Sequence, residues 1–150
     1  MSNMTRGDRN DRRTKTRVAL WIVQVVLAAL FLFAGGFKLI GPVEQMAAQA
    51  PIQLPGLFMQ FIGVCEVAGA LGLILPGLLR IRPELTTFAA VGLVAIMSGA
   101  TTITIEGGVI APAIMPAVVG ALAAFVAYGR WKVAPFGAPA PRTSLQPARA

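Results

Sequence analysis

The sequence predicts an all-α fold: an integral membrane four-helix bundle with antiparallel spans and both termini cytoplasmic. Three observations point there. The composition is 56% hydrophobic and 13% charged, with a mean hydropathy of +0.73 over 150 residues, which does not describe a water-soluble core. Four apolar stretches, at 18–43, 57–79, 85–105 and 107–129, each reach the roughly 20 residues that a helix needs to cross the hydrocarbon layer. Only Lys38 and Glu66 place a charge inside them. An α-helix satisfies its own backbone groups in lipid, so each stretch reads as a transmembrane helix, over about 18–40, 57–76, 85–105 and 109–129.

The elements follow in order. Residues 1–17 form a basic tail that mixes Arg, Asp, Asn and Thr, and it reads as disordered and cytoplasmic. Span one leaves the interface near Trp21; its apolar run is longer than a signal-peptide core and no A-x-A-like site follows, so it reads as uncleaved. Residues 41–56 are the only long connection. Val43, Met46, Ala47 and Ala50 recur there at helical spacing, which predicts a short interfacial helix before Pro51 and Pro55. That helix either covers the charged pair or only links two spans. Between spans three and four, Gly107-Gly108 leaves so short a connection that the two helices must form a hairpin. In span four, Pro112 can start a helix, whereas Pro116 removes a hydrogen bond from its interior and predicts a kink. Residues 130–150 form a Pro/Ala-rich tail that also reads as cytoplasmic.

Orientation rests on the basic residues. Of the 13 Lys and Arg, all but Lys38 lie in the two tails or at Arg80 and Arg82, whereas the other two connections carry Glu44 and Glu106 and no basic residue. The positive-inside rule then places both termini in the cytoplasm. Trp21, Tyr128 and Trp131 fall at the same interface. The net charge of +7 is absorbed by this topology, and no aromatic residues interleave the basic tail, so nucleic acid is excluded as a partner. The lipid bilayer is the partner that the composition requires.

Several chemistries are excluded by absence. With no His, imidazole-held haem and the usual zinc and copper sites are lost, and no metal site is expected. The single Cys65 allows neither an internal disulfide nor a C-x-x-C redox pair, and reads as a small packing residue. No nucleophile with a base and no phosphate-cradling loop is present, so the chain is not expected to be an enzyme on its own.

Function is therefore sought at Lys38 and Glu66. A charge at bilayer depth costs on the order of 3 kcal/mol on insertion scales unless it is paired or solvated. At 1.5 Å per residue, Lys38 lies about 25 Å along span one from Trp21, and Glu66 about 13 Å down span two from Leu57. Side chains lean toward their own helix N-terminus, so on antiparallel neighbours the two converge. Lys38 shares its helix face with Gln24, Phe31 and Gly35, and Glu66 shares its face with Gly63 and Ala70; with Thr102 of span three, these are the candidate lining of a pocket. The alternatives are a lysine that snorkels to the headgroups and a singly hydrogen-bonded acid. Thr101 and Thr104 read as hydroxyls bonded back to their own helix.

The stretches Phe33-Ala34-Gly35-Gly36-Phe37-Lys38-Leu39 and Gly63-Val64-Cys65-Glu66-Val67-Ala68-Gly69-Ala70-Leu71-Gly72-Leu73 resemble the two signature stretches of DoxX-like proteins, small bacterial membrane proteins with four helices. The resemblance covers 18–128 and carries over only Lys38 and Glu66. Members often carry His or Arg near the end of span three, where this chain has Thr101, Thr102 and Thr104. The resemblance implies an association with thiosulfate oxidation into the quinone pool and with membrane assemblies that handle thiol or oxidative stress. Three functions follow as alternatives. The first is an accessory subunit of a redox assembly, with a quinone or small apolar ligand against Lys38 and Glu66 and a soluble or membrane oxidoreductase as partner. The second is a proton-coupled exporter using Glu66, and the third a scaffold in which the pair only sets register. A homo-oligomer is left open.

Overall fold

The computed structural model describes residues 6–79, 81–82 and 84–133. The elements are α1 (Arg6–Ile40), α2 (Val43–Ala48), α3 (Gly56–Leu79), α4 (Glu84–Glu106) and α5 (Ile110–Tyr128), closed by a π-helical turn at Gly129–Val133. No strand occurs among the described residues. Four of the helices are long and apolar enough to cross a membrane, and α2 is the short helix expected in the connection at 41–56.

The first helix departs from expectation. It begins at Arg6, so most of the tail read as disordered continues α1. The apolar span supplies the helical nucleus, and extending an existing helix is far easier than starting one. The tail expected at 134–150 lies outside the described residues, as do residues 1–5.

The breaks are set by Gly and Pro. Gly41 ends α1 through its N–H to Phe37 O, and Pro42 caps α2. Pro55 opens α3, its carbonyl accepting from the N–H groups of Phe58 and Met59. Pro112 falls in the first turn of α5, where a missing N–H costs nothing, whereas Pro76 and Pro116 lie inside helices. Gly108 turns the chain between α4 and α5 at φ 81, a conformation with little penalty only for glycine.

Packing is most extensive within two helix pairs, α1 with α3 and α4 with α5; α3 joins them to each other, and α1 touches α5 more sparsely. The buried core is built from Leu27, Phe31, Leu73, Leu93, Val119 and Val126, interleaved with Ala28, Ala70, Ala90 and Ala123. Small residues let backbones approach, which is what holds membrane helices together when lipid is as apolar as their side chains. The tight glycine contacts between the long helices of different pairs and at the π-helical turn lie toward one end: Gly72 against Ala89, Gly69 against Leu93 and Gly129 against Leu20.

The same end holds a buried polar clasp. Gln24 Nε2 donates to Leu73 O at 2.7 Å, Arg130 Nε donates to Gln24 Oε1 at 2.6 Å, and the guanidinium lies 5.5 Å from the Trp21 ring. Three elements, α1, α3 and the π-helical turn, are tied through one glutamine. Gln24→Leu strands the Leu73 carbonyl and removes an acceptor from a buried arginine, so it is expected to cost about 1–3 kcal/mol in unfolding measured in mixed micelles. A loss below a few tenths would show that the clasp contributes nothing to stability.

Candidate functional site

At the other end of the bundle, α1 and α3 meet at two glycines. A Cβ on Gly35 would lie 2.8 Å from Gly63 O, and one on Gly63 would lie 3.0 Å from Gly35 O. This close approach sets the next residues of each helix together. Lys38 is one turn beyond Gly35 and Glu66 one turn beyond Gly63. Lys38 Nζ lies 2.6 Å from Glu66 Oε2 and 2.9 Å from Oε1, so both carboxylate oxygens accept from one ammonium. The lysine side chain is 19% exposed and that of the glutamate 3%. The two charges cancel, and the ammonium faces both oxygens of one carboxylate.

The pair borders a cavity of about 820 Å³ between the two helix pairs. Phe31 and Ala34 of α1, Met59 and Ile62 of α3, Met97 and Ala100 of α4, and Pro116 and Val119 of α5 form its walls, and Ala50, Pro51 and Leu54 close over it from the connection after α2. Among these residues Lys38 and Glu66 carry the only charges, and the one other polar side chain, Thr104, is bonded to Ala100 O at 2.7 Å. The site is thus an apolar chamber of the size that holds a small organic molecule, with one neutral ion pair in its wall.

Of the other residues expected to line a pocket, the structure brings only Phe31 to this cavity. Gln24 shares the helix face of Lys38 but sits about 21 Å along it, at the polar clasp, because angular position on a helix says nothing about depth. Gly35 and Gly63 are taken up by the helix crossing, and Ala70 by the core. Thr102 faces a separate, shallow groove between α4 and α5 and bonds back to Ser98 O at 3.0 Å. Thr101 likewise bonds back, to Met97 O at 2.7 Å. Cys65 is a free thiol, half-buried. No cluster of potential metal ligands occurs among the described residues.

Sequence reasoning missed Arg130, which it assigned to the tail although the side chain is buried. The available signal was Gln24: a lone amide in an apolar span requires partners, and a buried one in lipid is seldom left without them.

A chain with four helices long and apolar enough to cross a membrane is a multi-pass membrane protein, and those helices imply contact with the lipid bilayer. The chain belongs to the DoxX-like family, whose model matches residues 22–126 and so spans both helix pairs. No curated protein and no solved structure matches it.

Proposed function

We propose that this protein is an accessory membrane subunit of a redox-linked assembly in the bacterial inner membrane, and that its cavity takes a quinone or another small apolar ligand against Lys38 and Glu66. The observation that carries the reading is the ion pair in the wall of an otherwise apolar chamber. A pair needed only to set register gains nothing from an adjacent space of about 820 Å³. Family membership supports the redox link. The partner is a soluble or membrane oxidoreductase that supplies the chemistry this chain lacks.

The helices run antiparallel in this reading, with both termini cytoplasmic. Pairing of Gln24 with Leu73 and of Gly35 with Gly63 supports opposite courses for α1 and α3, and the Lys and Arg distribution supports the orientation. The ion pair and cavity then lie toward the outer leaflet, and the polar clasp toward the cytoplasm. The exporter reading has less support, because both oxygens of Glu66 are held by Lys38, whereas a proton-cycling acid needs to exchange that partner for substrate.

Affinity purification in mild detergent, with mass spectrometry of bound lipids and proteins, tests the proposal. The wild-type protein is expected to carry a quinone and an oxidoreductase, and Glu66→Gln to lose at least the quinone. Identical cargo in both would remove the site from the account.

A further inference from the structure

The cavity is closed toward the bundle end and open toward its flank. Pro51 seats against Gly107 so closely that a Cβ there has no room, which joins the connection after α2 to the turn between α4 and α5 and covers the end of the chamber. The flank differs. Phe33 of α1 and Met115 of α5 both line the cavity, yet they are 78% and 64% exposed on the surface that meets lipid. A side chain that lines a chamber and also faces outward stands at an opening, and Phe61 of α3, in the same lining, is 62% exposed as well. Of these flanks, the one between α1 and α5 carries the sparsest contact between neighbouring spans, and Phe33 and Met115 belong to its two helices. The close contacts across that seam, Leu20 with Gly129 and Gln24 with Arg130, lie at the opposite end.

The chemistry of the wall restricts what can enter. Lys38 and Glu66 together carry no net charge, so an anion would meet no surplus cation to offset its desolvation in an apolar chamber. Facing a single carboxylate, the ammonium keeps a donor beyond that contact, and Lys38 lines the cavity. That donor suits a neutral acceptor such as a carbonyl oxygen.

We infer that the site is filled sideways from the bilayer, by a neutral lipid-soluble carbonyl compound that passes between Phe33 and Met115 and presents its oxygen to Lys38. This deepens the ligand reading above and rests on it: it assigns the route and the charge class of the ligand. Water-soluble substrates have no part in it, and the apolar walls hold the hydrocarbon portion of the molecule while the ion pair orients its head.

The test uses the full chain in phosphatidylcholine nanodiscs, with Cys65→Ala, Phe33→Cys and Met115→Cys, and a short bismaleimide to join the introduced thiols. Radiolabelled decylubiquinone is the neutral probe and palmitate the anionic one. Joining the seam is expected to slow uptake of decylubiquinone at least tenfold and to slow its release once loaded to a similar extent, while a monofunctional maleimide slows neither. The pair Phe33→Ala and Met115→Ala, which needs no cross-link, is expected to speed uptake at least threefold. Unchanged rates in both variants would overturn entry between α1 and α5 and leave the pocket standing. Tighter binding of palmitate than of decylubiquinone would overturn the neutral ligand class. No binding of either probe by the wild-type protein would defeat the pocket reading itself and this inference with it.

Discussion

Lys38→Met is expected to destabilise the bundle by about 3–5 kcal/mol, the range found when one partner of a buried ion pair is removed and the other left behind. The stranded group is Glu66, whose side chain is only 3% exposed and is surrounded by apolar walls. Glu66→Leu is expected to cost less, because the lysine it strands is already 19% exposed and its four-carbon stem can carry the ammonium toward the polar boundary. The double variant Lys38→Met with Glu66→Leu is expected to recover most of the loss, since no uncompensated charge remains. Reversible unfolding in mixed micelles measures all three. A strong positive coupling between the two sites is the signature of a pair that acts as a unit. Two small, additive losses would mean that each charge finds its own solvation, and the pair would then be neither a folding device nor a defined ligand contact.

Gly35→Leu is the second large effect. A Cβ at this position would press on Gly63 O at 2.8 Å and on the side chains of Glu66 and Val67 at 3.0 Å, and a backbone oxygen cannot move aside as a flexible chain end can. Overpacking of this kind costs about 1–3 kcal/mol, and the branched side chain puts Gly35→Leu at or above the top of that range. The neighbouring Gly36 provides the control, because a Cβ there meets nothing within 4 Å. Gly36→Leu is expected to stay within about 0.5 kcal/mol of the wild-type protein. The two variants share composition, helix and depth, so unequal melting in the same detergent isolates the crossing. Because the crossing also sets Lys38 opposite Glu66, Gly35→Leu is expected to lose quinone binding as well.

The fold was legible because lipid leaves few choices. Apolar runs of about 20 residues had to be helices, and Gly41, Pro42, Pro55 and Gly107-Gly108 marked their limits to within a few residues of where α1, α2, α3 and α4 end or begin. The meeting of Lys38 with Glu66 could be argued from rise per residue and side-chain lean, since two charges in lipid have few other partners. The rest of the chamber was not legible. Its walls come from residues such as Met59, Met97 and Val119, which differ in no way from ordinary membrane core, and only the separation of two helix pairs turns them into a lining. Helix-wheel reasoning assigned Gln24 to the site because it gives direction without depth, and Arg130 was hidden because the last span continues into the π-helical turn that holds it, beyond the end of its apolar run. The basic start of α1 was misread for a different reason: composition alone argued for disorder, whereas an adjoining helix was available to be extended.

The spacing of the two charges has a consequence for biosynthesis. Lys38 is translated 28 residues before Glu66, so the first segment leaves the ribosome carrying a cation whose counter-ion does not yet exist. A lone lysine at depth costs on the order of 3 kcal/mol on insertion scales, so the first segment by itself is expected to hold its ammonium toward the lipid headgroups. Truncated chains ending before and after the second span are therefore expected to differ in how completely the first one inserts, which glycosylation-site mapping measures.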